Sequence, residues 1–203
     1  AKARLLRPSA LPIPAQERAR ACPPGPPFRA LLLANLRAVK APLLAALASD
    51  LLAPDVPFQI EHYGLPLEPR LQAELARLAS PRCRFLGPLP PAAARQALCR
   101  AHLLLNTSAS EGASNAVVEA LASGIPVLAS RVPGNLGLLG SDHPGLFPPG
   151  DAQALAQTLT RFARDAAYRS ALELASQALA PRHQPERELD AWRALLATLA
   201  PPQ

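Results

Sequence analysis

The chain's 203 residues suffice for one sizeable domain with its own core, or for one domain plus appended elements. Apolar residues make up 49% and charged residues 18%, ordinary values for a soluble globular protein, and no apolar run approaches the roughly 20 residues that span a bilayer. The net charge of +6 comes mostly from scattered arginines and is accompanied by only 4% aromatic residues, which argues against nucleic-acid binding and for a solvated surface with a few Arg recruited to anionic ligands.

Residues 1–27 are rich in Pro and Arg and contain Pro23-Pro24-Gly25-Pro26-Pro27. Such a stretch is expected to sustain neither a helix nor a central strand, and reads as a linker or irregular lead-in. The sequence begins at Ala1 without an initiator Met and reads as a piece of something longer. The apolar run at 29–35 is expected to form a buried parallel strand. A helix over 39–52 ends at Pro54, a strand follows at 58–64, and Leu71, Leu75 and Leu78 give 68–78 helical spacing. A short strand at 82–87 precedes a helix at 91–100, which opens with Pro in its first turn. Next come a strand at 101–106, a helix at 113–123, a strand at 125–130 and a short sixth strand at 145–147. Helices at 152–164, 168–180 and 186–199 complete the chain, the last bearing Trp192.

This alternation implies βαβ units in an α/β fold: a Rossmann-like, doubly wound parallel sheet over 28–180, with a C-terminal helix in 181–203. Crossovers in such a sheet are right-handed. Its ligands bind beyond the carboxyl ends of the strands, which selects the loops after Asn35, Phe85 and Asn106. Cys22, Cys83 and Cys99 lack metal-ligand or CxxC spacing; they read as structural thiols in a reducing compartment, so a cytoplasmic location is expected. His62, His102, His143 and His183 fit no motif and read as structural or solvent-exposed.

The chemistry concentrates after Asn106. Small residues crowd the turn that leads into the helix, letting backbone N–H groups and the positive helix end approach an anion such as phosphate. Glu111 precedes that helix and Glu119 lies within it. Near an anion site, carboxylates suit a ligand that carries hydroxyls beside a diphosphate, as a sugar nucleotide does. Taken singly, Glu111 also reads as a helix N-terminal acid in a capping box with Ser108, and Glu119 as a surface residue of an amphipathic helix.

Ser108, Glu111, Gly112, Glu119, Ala120, Ala122, Gly124, Pro126, Val127, Ala129 and Ser130 occur in an order that resembles the signature of the group-one retaining glycosyltransferases, two Glu separated by seven residues. The Pro133-Gly134-Asn135 turn, the stretch 145–151, the strand and loop carrying Arg37 and Lys40, and the strand at 82–87 are similar to the same family, so that the resemblance covers about 29–164. Tyr63-Gly64-Leu65-Pro66 stands where the family has a Gly-rich loop.

The resemblance implies the C-terminal, donor-binding half of a fold with two Rossmann-like domains, active only with its N-terminal partner domain. Glu111 would contact donor-sugar hydroxyls and Glu119 the ribose. Gly112, Ala113, Ser114 and Asn115 would support the phosphates and sugar, and the base would lie beside Leu86. Arg37 and Lys40 would stabilise the departing diphosphate, with retention at the anomeric carbon, no metal and no cofactor beyond the sugar-nucleotide donor. The donor's sugar and base, and the acceptor, are not specified. Competing classes are a non-catalytic interaction module that has lost its partner domain, a sugar-nucleotide epimerase and a phosphorylase.

Overall fold

A computed structural model describes residues 6–22, 24–78 and 80–198. The strands are β1 (Phe28–Leu33), β2 (Phe58–Tyr63), β3 (Cys83–Phe85), β4 (Leu103–Asn106), β5 (Val127–Ser130) and β6 (Leu146–Phe147). All pair in parallel, in the order β3-β2-β1-β4-β5-β6. The helices are α1 (Ala15–Ala21), α2 (Leu43–Asp50), α3 (Pro69–Leu78), α4 (Pro91–Arg100), α5 (Asn115–Ala122), α6 (Pro133–Leu139), α7 (Ala152–Arg164), α8 (Ala166–Leu179) and α9 (Pro185–Ala197). The chain is the Rossmann-like α/β fold that its strand–helix alternation implies.

The central strands are buried on both faces, which is why they read as unbroken apolar runs. Successive residues feed two cores. Leu32, Leu105 and Leu128 point to the side covered by α2 and α7, whereas Leu31, Leu104 and Val127 point to the side covered by α4 and α5. The first core ends, at the start of the strands, in Phe28, Phe58 and Phe162, with ring centroids 5.4–6.2 Å apart. Helix α8 bridges the layers, placing Tyr168 and Leu172 in the first core and Leu179 in the second.

Helices α4 and α7 occupy the ranges that their caps and spacing predict. Pro91 opens α4, and the Asp151 carboxylate accepts the Ala154 N–H at the start of α7.

Three expectations are corrected. Between Pro14 and the Pro cluster, the Ala, Arg, Gln and Glu of 15–21 are good helix formers and make α1. The preceding residues are also tied to the domain: Ile13 is buried in the second core, its N–H donates to Ser123 Oγ, and Ala10 N–H donates to His183 O. The helix expected over 39–52 is split into a 3-10 turn, Ala38–Lys40, and α2, because Ala41 takes a left-handed conformation (φ 42°) before Pro42. Pro133-Gly134-Asn135 is the first turn of α6 rather than a free turn. Residues 1–5, 23 and 199–203 of the lead-in and C-terminal helix expectations lie outside the described residues.

The four histidines all bond backbone groups. His62 is fully buried, its Nε2 lies 2.8 Å from Ala34 O, and Phe85 meets its ring edge-on. Burial holds His62 and His143 neutral, at about 4 instead of the ordinary 6.5. In the unfolded chain both titrate near the ordinary value, so only that state gains protons as pH falls below it. Stability is therefore full above pH 6.5 and lost progressively down to about pH 4. Urea midpoints measured across this range should fall by an amount corresponding to a few kcal/mol, and a flat profile would contradict the assignment.

Candidate functional site

The strand order reverses between β1 and β4, and the loops leaving their carboxyl ends diverge there to leave a crevice. A cavity of about 580 Å³ opens at this point, lined by Asn35 and Lys40 after β1, Gly64 after β2, and Ala113, Ser114 and Asn115 at the start of α5. The first N–H groups of α5 thus open onto the cavity, an arrangement that attracts anions.

Backbone and side-chain bonds fix the loops relative to one another. Asn35 Oδ1 accepts from Leu65 N–H at 2.8 Å, and Glu68 Oε1 accepts from Ala38 N–H at 2.9 Å. The loop after β4 then grips the 3-10 turn, with Ala109 N–H donating to Val39 O and Thr107 Oγ1 to Lys40 O. Gly64 is needed where β1 and β2 end, since a Cβ there would lie 2.0 Å from Ala34 O.

These contacts bring Lys40 and Glu111 together across 71 residues of sequence, Nζ to Oε1 at 2.6 Å. Ser108 Oγ donates to the same oxygen at 2.7 Å, and Asn106 Nδ2 lies 3.4 Å from it. Burial alone would raise the Glu111 carboxyl, but the bonds from Lys40 and Ser108 outweigh it and hold the group below its ordinary value. The carboxylate is therefore ionised at neutral pH. Every bond that it accepts from the described residues goes to Oε1, which leaves Oε2 as the oxygen free to accept from a ligand. The capping-box reading of Glu111 fails, because α5 begins only at Asn115 and no helix starts between Ser108 and Glu111.

The other expected residues are spread around this pair. Arg37 is solvent-exposed at the start of the 3-10 turn, on the same loop as Lys40 but outside the cavity lining. Leu86 is 40% exposed in the loop after β3, next to the lining residues Pro88 and Leu89. Gly112 is exposed beside Glu111. Glu119 is half-buried on α5, where burial raises its carboxyl against the opposing pull of Arg95; it too lies outside the lining.

Sequence reasoning named Asn106, Ser130 and Asn135 only as motif positions and gave no role to their side chains, all three of which are buried. The available signal was a polar residue closing each of two apolar strands, Asn106 after Leu-Leu-Leu and Ser130 after Val-Leu-Ala. A second cavity of about 550 Å³ lies at the opposite edge of the sheet, lined by Arg18, Phe28, His102 and Arg169. Among the described residues no cluster of three or more His, Cys, Asp or Glu could hold a metal ion, and no helix is long and apolar enough to cross a membrane.

The doubly wound sheet defines a Rossmann-like domain, with Lys40 and the start of α5 at the crevice of its switch point. The chain belongs to the glycosyl transferases group 1 family, whose model matches residues 28–165. It is 40% identical over 76 residues to a Bacillus subtilis (strain 168) protein described as a teichuronic acid biosynthesis glycosyltransferase, TuaC; the match covers 37% of this chain and 20% of that protein. Among solved structures it resembles sucrose-phosphate synthase from Thermosynechococcus elongatus, with a TM-score of 0.77 and 23% identity over 97% of this chain and 52% of that one. It also resembles Anabaena HepE in complexes with UDP and with UDP-glucose, with a TM-score of 0.73 and 23% identity over 92% of this chain and 54% of HepE. The chain thus spans about half the length of these structures.

Proposed function

We propose that this chain is the donor-binding half of a retaining glycosyltransferase that uses a nucleoside-diphosphate sugar. The observation that carries the reading is the ion pair of Glu111 with Lys40, a residue lining the cavity onto which the start of α5 also opens. Cation and helix end suit a diphosphate, and the free Oε2 of Glu111 suits an adjacent sugar hydroxyl. In this reading Arg37 swings in from the rim to fork onto the phosphates, Glu119 accepts the ribose hydroxyls, and the base lies beside Leu86. The backbone of Gly112, Ala113, Ser114 and Asn115 supports phosphate and sugar. The UDP and UDP-glucose complexes of HepE, a protein of the same fold, support the choice of ligand class.

Lys40 and Arg37 would act chemically by stabilising charge as it builds on the departing diphosphate, an electrostatic task that two cations would perform in place of a metal. The acceptor side of the cleft belongs to an N-terminal partner domain. The test is turnover of a panel of sugar nucleotides by the full-length protein, with the anomeric configuration of the product determined by NMR. Arg37→Ala should lower turnover by about a hundredfold, the scale of losing one transition-state donor. Glu111→Ala should also lower it, by removing the acceptor of the sugar hydroxyl and the partner of Lys40. Full activity in either variant would remove that residue from the site, and an inverted product would reject retention.

A further inference from the structure

We infer that Asn135 is a positioning residue for Glu111, acting through Asn106; the inference rests on the donor-binding reading above. Asn135 lies in the first turn of α6 and is fully buried, with the buried polar side chains of Asn106 and Ser130 against its amide. Its Nδ2 donates to Asn106 Oδ1 at 3.1 Å and to Ser130 O at 2.9 Å. Ser108 N–H donates to the same Asn106 oxygen at 3.2 Å.

Two donors on Oδ1 fix which way the Asn106 amide faces, so its Nδ2 is turned towards Ser114 Oγ at 3.1 Å and Glu111 Oε1 at 3.4 Å. A flipped amide would present an oxygen to the Glu111 carboxylate, a repulsive contact. Ser130 continues the support on the other side, its Oγ donating to Ser108 O at 2.5 Å, while Ser108 Oγ holds Glu111. The network thus saturates Oε1 from within the protein and leaves Oε2 without a bond from the described residues. Neither Asn135 nor Glu111 is among the residues lining the cavity. Asn135 reaches it through Asn106, whose Nδ2 faces both Ser114 of the lining and Glu111, the partner of the lining residue Lys40.

A role exerted mainly on Glu111 predicts a split between two ligands. Asn135 should matter for the sugar end of a donor and little for the diphosphate, which Lys40 and the start of α5 hold. The experiment is calorimetric titration of the full chain with UDP, GDP and ADP and with the corresponding glucose nucleotides. Wild type, Asn135→Ser, Asn135→Ala and Glu111→Gln are compared, each checked for folding by its thermal transition. The inference expects the sugar nucleotide's advantage over its diphosphate to fall by about tenfold in Glu111→Gln and in both Asn135 variants, with diphosphate affinity changed by less than about threefold. The double variant Asn135→Ser with Glu111→Gln should lose no more than Glu111→Gln alone.

Equal weakening of both ligands, or a retained advantage, overturns the role of Asn135 while leaving the donor-binding reading in place. Wild type that binds none of the six ligands overturns the reading and the inference with it. Should both Asn135 variants fail to fold, Ser130→Ala, which removes the hydroxyl that accepts from Asn135 Nδ2 at 3.2 Å and donates to Ser108 O, must produce the same loss of advantage. An unchanged advantage in that variant overturns the inference.

Discussion

Lys40→Ala should lower affinity for a nucleoside diphosphate by about ten- to a hundredfold, the loss expected when one charge-assisted contact of roughly 1.5–3 kcal/mol disappears. The variant also leaves Glu111 with its side chain only 7% exposed and without the cation 2.6 Å away. An ion that loses its partner while still partly buried is costly, so stability near neutral pH should fall by roughly 1–3 kcal/mol. The pH dependence distinguishes this cause from general damage. In the wild type Glu111 is held below its ordinary 4.5, so its contribution is present above that pH and is lost as pH falls through the folded-state value. The stability gap between wild type and Lys40→Ala should therefore be full at neutral pH and close under acid conditions in which Glu111 is protonated. Urea titrations at several pH values measure it; a gap that persists in acid would mean that Lys40 contributes by packing rather than by charge.

Gly134→Ala should damage the fold and the site together. A Cβ at this position would sit 2.2 Å from Gly112 O and 2.3 Å from Glu111 O, both backbone atoms that cannot rotate away. Either α6 backs off, stretching the Asn135 bonds, or the 111–112 turn moves and Glu111 leaves Lys40. Overpacking of this kind typically costs about 1–3 kcal/mol of stability, and the displaced carboxylate should weaken sugar-nucleotide binding by about tenfold or more. Gly137→Ala is the matched control on the same helix. Nothing lies within 4 Å of its Cβ position and the site is exposed, so this change should be neutral or stabilise α6 by up to about 1 kcal/mol. Thermal midpoints and calorimetric titrations of the two variants side by side check both halves. Equal behaviour would remove the role assigned to the 111–134 contact.

The sheet was legible in the sequence because parallel strands buried on both faces leave unbroken apolar runs such as Leu103–Asn106. Helices α4 and α7 were legible because Pro91 and Asp151 mark their starts chemically. Two short helices were not. In α1, the helix-forming run 15–21 was averaged into a Pro-rich neighbourhood. In α6, two glycines in seven residues suggest a turn, and the reason for Gly134 is a neighbour 22 residues upstream that the local sequence does not reveal.

The site divides in the same way. Glu111, Glu119, Arg37 and Lys40 were singled out by type, spacing and family resemblance. That Lys40 and Glu111 meet depends on the switch point between β1 and β4, and that only Oε2 remains available depends on Ser108 and Asn106. The side chains of Asn106 and Asn135 were given no role because an asparagine in a sequence usually signals a turn or a surface. Their importance comes from burial: Asn106 finds partners for both amide atoms, whereas Asn135 pairs its Nδ2 and leaves its Oδ1 without a partner among the described residues.

The central claim, that the carboxyl edge of the sheet binds a nucleoside diphosphate, is tested most directly by following the backbone amides of the isotope-labelled chain during titration with UDP, GDP and ADP. At least one of the three should shift resonances clustered at Asn35–Lys40, Gly64–Leu65, Leu86 and Glu111–Ala116, saturably and with the response lost in Lys40→Ala. Shifts confined to the opposite edge, around Arg18, His102 and Arg169, or no saturable response to any of the three nucleotides, would contradict it.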